Sequence, residues 1–203
     1  MDFIFIKCQF SLIAQFAKSD RKPTPIHTQI ICQLLAIIMN DMFCFQCEQT
    51  AGCTGCTRAS VCGKTADIAN FQDELTGALI ALSDTQLTAA NSSAAPLSDA
   101  VCQLILDGLF ATITNVNFDG DSINKLTAQI RHEKEKLADT YQVLASADYD
   151  MTHIWNANED IRSLKSLILF GIRGIAAYAY HAMVLGYTDA SLNQFFVTAL
   201  SSL

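Results

Sequence analysis

The chain has 203 residues, 51% of them hydrophobic, and a formal net charge of −7. That composition excludes a mostly disordered protein and supplies apolar mass for one substantial core or two small ones. The acidic balance is steepest over residues 41–203, where nine Lys and Arg meet eighteen Asp and Glu; with no basic stripe of interleaved aromatics to offset it, a nucleic-acid partner is excluded.

The first forty residues differ in character, since Lys7, Lys18, Arg21 and Lys22 outweigh Asp2 and Asp20. Their apolar runs, FIFI and IICQLLAII, fall well short of the roughly 20 apolar residues that cross a bilayer, and we expect no transmembrane segment. Residues 1–41 read as an extension outside the domain, with translation starting at Met42. A basic, acid-poor leader with Ser and Thr also suits an organelle presequence, and no small-residue cleavage site follows a proper apolar core. Without a secretory signal, clustered cysteines read as metal ligands rather than as a disulfide framework.

Residues 42–64, MFCFQCEQTAGCTGCTRASVCGK, hold five of the eight cysteines. Cys44 and Cys47 stand in C-x2-C spacing, as do Cys53 and Cys56, and Cys62 follows. Two intervening residues let a reverse turn aim both sulfurs and the backbone N–H groups at one centre. Gly52, Gly55 and Gly63 make such turns sterically cheap. Four ligands suffice, either as the double knuckle Cys44, Cys47, Cys53 and Cys56 or as a set that uses Cys62. Iron–sulfur, structural zinc and redox-active or core thiols all remain open from spacing alone, although Phe43, Phe45 and Val61 provide an apolar wrapping that suits a shielded electron carrier. Cys8, Cys32 and Cys102 stand apart in sequence, and Cys102 is expected to be a small buried hydrophobe in a helix.

After the cluster every pattern is helical. Phe71, Leu75, Ala78, Leu79 and Leu82 mark a first apolar stripe, and a loop with Asn91, Ser92, Ser93 and Pro96 closes it. Val101, Ile105 and Leu109 mark a second, which Ser98 caps. Beyond the FDGDS turn, Ile123, Leu126, Ile130, Leu137, Tyr141 and Leu144 recur at helical steps, with Arg131 and Glu135 paired on a solvated face. Asp119 and Asp121, flanking Gly120, are a turn signature rather than an acid/base pair.

Asn158 is expected to cap a long helix, with Glu159 and Asp160 in its first turn, where the helix dipole favours acids. Leu164, Leu167, Ile168, Gly171, Ile175, Tyr178 and Ala182 form its expected inward stripe, Gly171 and Gly174 admit a neighbouring helix, and Gly186 ends it. A last helix shows Leu192, Phe195, Phe196, Ala199, Leu200 and Leu203 on one face and stays amphipathic to its end, which suggests a bundle that continues beyond Leu203. His27, His132, His153 and His181 lie in unrelated settings without an H-E-x-x-H pattern and read as surface or packing groups. The expected fold is all-α, two small helical bundles following a cysteine-rich loop.

These residues also carry a resemblance. MFCFQCEQT, GCT and CGKTADIANFQDEL are similar to the amino terminus of the hybrid-cluster proteins, also called prismane proteins or hydroxylamine reductases. GLFATITNVNFD and NEDIRSLKSLILFGIRGIAAYAYHAMVLGY resemble that family's first helical domain. Agreement in several separated blocks over about residues 42–203 is more specific than cysteine spacing, and the MFCFQC opening favours this branch over the related carbon monoxide dehydrogenases.

The resemblance implies that Cys44, Cys47, Cys56 and Cys62 ligate one [4Fe-4S] cubane near the surface, with Cys53 as a departure from the common pattern; a longer-spaced variant of the family carries [2Fe-2S]. It also implies a parent enzyme that reduces hydroxylamine, or nitric oxide, at a hybrid iron–sulfur–oxygen cluster whose His, Glu and Cys ligands come from further domains. The chain would then comprise the extension 1–41, the cluster loop 42–64 and a helical part, 65–203, that is truncated at its carboxyl end and inactive alone. It would be cytoplasmic, packed against the remaining domains and fed by a reduced ferredoxin-like or flavin protein. The competing expectation from the residues alone is a zinc-stabilised helical interaction module.

Overall fold

The structure is a computed structural model, and it describes residues 42–44, 55–113 and 116–203. The extension 1–41, and with it His27, lies outside the described residues, as do Cys47, Gly52 and Cys53. Among the described residues the fold is all-α, as the periodicity predicts, and the extended pairing is an isolated antiparallel bridge between Cys44 and Cys56. Residues 41–203 form one compact unit rather than two bundles.

The reason is the first helix, α1 (Ala66–Ser93), against which the helices Asp99–Ala111, Gly120–Tyr141 and Ala190–Ser201 all pack. Every residue from Leu75 to Ser83 is buried, so no side of its middle faces water. A helix surrounded in this way joins its neighbours into a single core. It runs through Asn91, Ser92 and Ser93, which the sequence placed in a loop, and stops at Ala94 in the left-handed region, φ 51°. Ala94 donates back to the Ala90 carbonyl at 3.0 Å, satisfying one of the last free acceptors.

Helix α2 (Asp99–Ala111) starts as expected: Ser98 Oγ accepts from the Val101 N–H at 3.3 Å, and Val101, Ile105 and Leu109 are buried. It approaches α1 closely where Gly108 lies against the Leu79 side chain. Helix α3 (Gly120–Tyr141) is capped by Asp119, whose carboxylate accepts from the Asp121 N–H at 3.1 Å. Ile123, Ile130 and Leu137 are buried, whereas Leu144 lies beyond the helix end and is 88% exposed. Arg131 does not pair with Glu135; it reaches Asp148 and Glu74, because the following segment folds back over α1.

That segment, residues 143–150, is a strap. Ser146 donates its N–H to Thr85 Oγ1 at 3.0 Å, and Tyr149 donates to the Gly77 carbonyl at 3.1 Å. Asp148 fastens it to α3 by accepting from Lys134 Nζ at 2.8 Å and from Arg131. A single turn, α4 (Thr152–Trp155), then leads into α5 (Glu159–Val184).

Asn158 caps α5 as expected, accepting from the Ile161 N–H at 2.9 Å, and Gly186 at φ 86° ends it. Its inward face is not the predicted one. The buried residues are Ser166, Leu169, Ile172, Arg173 and Ala176, while Leu164, Leu167 and Tyr178 are 59%, 69% and 82% exposed. Apolar side chains occur all round this helix, so hydrophobicity alone selects no face, and the buried side was hidden by its polar members. Gly171 and Gly174 have open space where a Cβ would stand, so the expected close helix contact is not made among the described residues. By length and composition α5 is also long and apolar enough to cross a membrane. On its buried side, Arg173 is bound by hydroxyls of neighbouring segments.

Helix α6 (Ala190–Ser201) is capped by Asp189, which accepts from the Leu192 N–H at 2.8 Å. Phe196, Val197, Leu200 and Leu203 are buried; Phe195, placed on the inner stripe by the sequence, is exposed.

Candidate metal centre

Two cysteines of the loop are brought together by backbone geometry. Cys44 donates to the Cys56 carbonyl at 2.9 Å and Cys56 donates to the Cys44 carbonyl at 2.8 Å. Residues directly opposite in an antiparallel pair project their side chains to the same face, with Cβ atoms about 5 Å apart. Both thiols are thus presented side by side, and both residues are buried with Met42 and Ala69.

The clip depends on Gly55. Its φ of 93° suits a residue without Cβ, and a Cβ there would stand 2.9 Å from the Phe43 ring and 3.3 Å from the Cys44 carbonyl oxygen. Phe43 in turn packs on Trp155, ring centroids 5.3 Å apart, and so ties the clip to the helical core. Cys62 sits on a separate turn, closed by the Gly63 N–H to the Ser60 carbonyl at 3.0 Å and aided by Gly63 at φ 87°. It is partly exposed. Among the described residues no three His, Cys, Asp or Glu side chains converge. Of the four predicted ligands, the structure pairs Cys44 with Cys56 and places Cys62 on the next turn; Cys47 lies outside the described residues, like the alternative ligand Cys53.

Beneath the clip lies a group of charges. Lys64, 2% exposed, points its Nζ at the Cys44 sulfur at 3.9 Å and donates to Gln72 Oε1 at 2.6 Å. Gln72 passes the chain of bonds on by donating to the Asn117 carbonyl at 2.9 Å. Arg173, buried on α5, donates through Nε to Thr112 Oγ1 at 3.0 Å and through Nη2 to Thr76 Oγ1 at 3.1 Å. Burial lowers its pKa to about 10, against the opposing pull of Asp73 and Cys44. Asp73, one residue along α1 from Gln72, accepts from Trp155 Nε1 at 3.1 Å. Burial raises its pKa to about 6, and the Trp155 hydrogen bond and the charges of Arg173 and Lys64 work the other way.

An ammonium thus stands against the Cys44 sulfur, and the guanidinium of Arg173 lies within electrostatic reach of it. This donor set fits a soft, thiolate-bound metal group. Among the described residues the histidines lie apart from the clip's cysteines, and His132, His153 and His181 are exposed. Cys102 is half-buried on α2 rather than fully buried, and burial raises its thiol pKa. Sequence reasoning missed Lys64, Asp73 and Arg173. The available signal was the single charge in the middle of the apolar run LILFGIRGIAA, a position where a cation persists only with buried partners.

A family model described as the Prismane/CO dehydrogenase family matches residues 42–203. Among curated relatives, the hydroxylamine reductase of Clostridium perfringens is 37% identical over 184 residues, covering 78% of this chain and 33% of its own length. That of Desulfitobacterium hafniense strain DCB-2 is 36% identical over 183 residues, covering 79% and 33%. That of Maridesulfovibrio salexigens is 37% identical over 167 residues, covering 74% and 31%. The chain spans about a third of the length of the curated relatives it matches.

Proposed function

We propose, from the premise that this chain belongs to the Prismane/CO dehydrogenase family, that it is the electron-relay part of a longer hydroxylamine reductase-like protein. Residues 42–64 hold one [4Fe-4S] cluster through Cys44, Cys47, Cys56 and Cys62. The observation that carries this is the hydrogen-bonded pairing of Cys44 with Cys56, which favours Cys56 over Cys53 as the partner of Cys44. The cluster supplies a one-electron carrier when bound.

This chain's own residues do the rest. Cys44 and Cys56 present their sulfurs from the two sides of the clip, Lys64 and Arg173 place positive charge beside Cys44, and Phe43 and Met42 exclude water from the inner side. Reduction of hydroxylamine to ammonia and water consumes two electrons and two protons and needs a centre that binds the nitrogen compound. We place that centre, the hybrid iron–sulfur–oxygen cluster, in the two-thirds of the relatives' length that this chain does not span. Nitric oxide is a second substrate of the same kind. The electrons come from a reduced ferredoxin-like or flavin protein, in the cytoplasm.

Anaerobic reconstitution of the full chain tests the reading. Iron with acid-labile sulfide is expected, lost in the Ser variants of Cys44, Cys47, Cys56 or Cys62 and kept in Cys53→Ser. Retention in Cys56→Ser with loss in Cys53→Ser overturns the ligand set. Stoichiometric zinc without sulfide overturns the relay in favour of a structural module. Hydroxylamine turnover by this chain alone, with reduced methyl viologen, overturns the placement of the chemistry.

A further inference from the structure

We propose that the outer face of α5, with the groove between α5 and α6, is the docking surface for a helix supplied by the two-thirds of the relatives' length that this chain does not span. The inference rests on the reading of this chain as part of a longer protein, and not on its metal centre. Leu164, Ile168, Gly171, Ile175 and Tyr178 recur along α5 at steps of four and three residues, the spacing of a helix-packing seam. All five are exposed. From Ser166 to Thr188 the one Asp, Glu, Lys or Arg is Arg173, which is buried, so the outward side carries none. A helix side meant for water is polar, and an apolar strip of this length on a protein surface marks a contact site. Beside the strip runs a groove of about 360 Å³, lined by Ile168, Gly171, Ile172 and Ile175 of α5 and by Phe195 and Ala199 of α6. Nothing lies within 4 Å of the place where a Cβ of Gly171 would stand, which leaves room for a large apolar side chain to enter.

The position of the groove selects its occupant. Ser202 lines it, one residue before Leu203, so polypeptide continuing from this point emerges at the groove. Covalent attachment holds such polypeptide at an effective concentration on the order of millimolar, and it reaches the face ahead of a second copy in solution. An anionic bilayer surface is disfavoured by the chain's net charge of −7. The seam fits an apolar helix that lays Leu or Ile side chains against Ile168 and Ile175 and sets a bulky one over Gly171.

The experiment is hydroxyl-radical footprinting, read by mass spectrometry, of the full chain and of the intact hydroxylamine reductase of Clostridium perfringens. Residues 164–178 are expected to be oxidised readily in this chain, and the aligned segment of the longer protein to lose that labelling. Equal labelling overturns the inference. So does protection of the segment in this chain alone, since a second copy or another part of the same chain would then be the cover. Capture tests the named residues: the full chain, co-expressed with the part of the Clostridium perfringens protein outside the matched third, is expected to hold it. Gly171→Leu and Ile175→Glu should reduce capture about tenfold, and Leu144→Glu, exposed beyond the end of α3, should leave it unchanged. Gly171→Leu meets open space within the chain, so its helix content by circular dichroism is kept. Capture that all three variants retain overturns the inference, and if the separately expressed part does not fold, the footprints decide it. Flotation of the chain with phosphatidylcholine vesicles, abolished in Ile175→Glu, makes a membrane the occupant and overturns it too. A chain that takes up no iron and sulfide overturns the cluster reading and leaves the footprints as expected here; unprotected footprints with a loaded chain overturn this inference alone.

Discussion

Tyr149 donates its backbone N–H to the Gly77 carbonyl at 3.1 Å and sets its own carbonyl against the bare Cα of Gly77, where a Cβ would collide with it. The strap 143–150 can therefore lie on α1 only because residue 77 has no side chain. Gly77→Ala gains helix propensity but must lift the strap, with a net destabilisation of about 1–3 kcal/mol in urea melts. The control is Gly171→Ala, where nothing lies within 4 Å of the new methyl group. There the change stabilises by about 0.5–1 kcal/mol.

Leu169 and Leu167 are two residues apart on α5 yet lie on opposite sides of its energetics, 2% and 69% exposed. Leu169→Ala is expected to cost about 2–5 kcal/mol. Leu167→Ala should fall within about 0.5 kcal/mol of wild type, because its side chain touches little in this chain. Equal losses at both positions by chemical denaturation would restore the face that periodicity predicts.

The contrast marks how far the sequence is legible. Ser98 and Asn158 declare themselves because a helix cap is local chemistry, a side-chain oxygen within three residues of the N–H it accepts from, whereas the cap at Asp119 reads in sequence only as part of a turn. Ile123, Ile130 and Leu137 are equally plain, since polar residues cover the other sides of α3. The face of α5 is not, because Ile, Leu and Phe occur all round it while Arg173 and Ser166 occupy the buried side. Nor does any local pattern reveal the strap, whose hold on Gly77 and Thr85 joins segments more than sixty residues apart. At the candidate site the cysteines were visible from spacing; Lys64 and Asp73 were not, because each acquires its role only from burial beside partners on other elements.

Asp73 gives the fold a pH dependence. Its folded pKa of about 6 lies above the unfolded value, so its contribution is fully present below about pH 4 and is lost as pH rises through 6. The two-unit displacement corresponds to on the order of 2–3 kcal/mol. Asp148 runs the opposite way. Burial raises its pKa, but hydrogen bonds from Lys134 and Arg131 outweigh burial and hold it below the ordinary value, so its contribution is present above about pH 4 and lost on acidification. Urea midpoints of the metal-free chain at pH 4.5 and 7.5 should differ less in Asp73→Asn than in wild type. An unchanged difference would place the titration elsewhere.

Gly55→Ala tests the clip. The new methyl group meets the Phe43 ring and the Cys44 carbonyl at a backbone angle that costs an L-residue about 1–2 kcal/mol. We expect iron and sulfide uptake to fall while helix content by circular dichroism stays within error, since α1 to α6 do not depend on residue 55. Undiminished uptake would show that the Cys44–Cys56 pairing is dispensable.

Because two hydrogen bonds close the clip at Cys44 and Cys56, it fixes the ends of the intervening segment whatever that segment's length. Closing a longer loop costs little, about 0.6 kcal/mol for each doubling. Insertions or deletions between Cys44 and Cys56 are therefore expected to leave that pairing and the helical core in place. The clip acts as a fixed base whose geometry does not depend on how many residues the chain between its two halves contains.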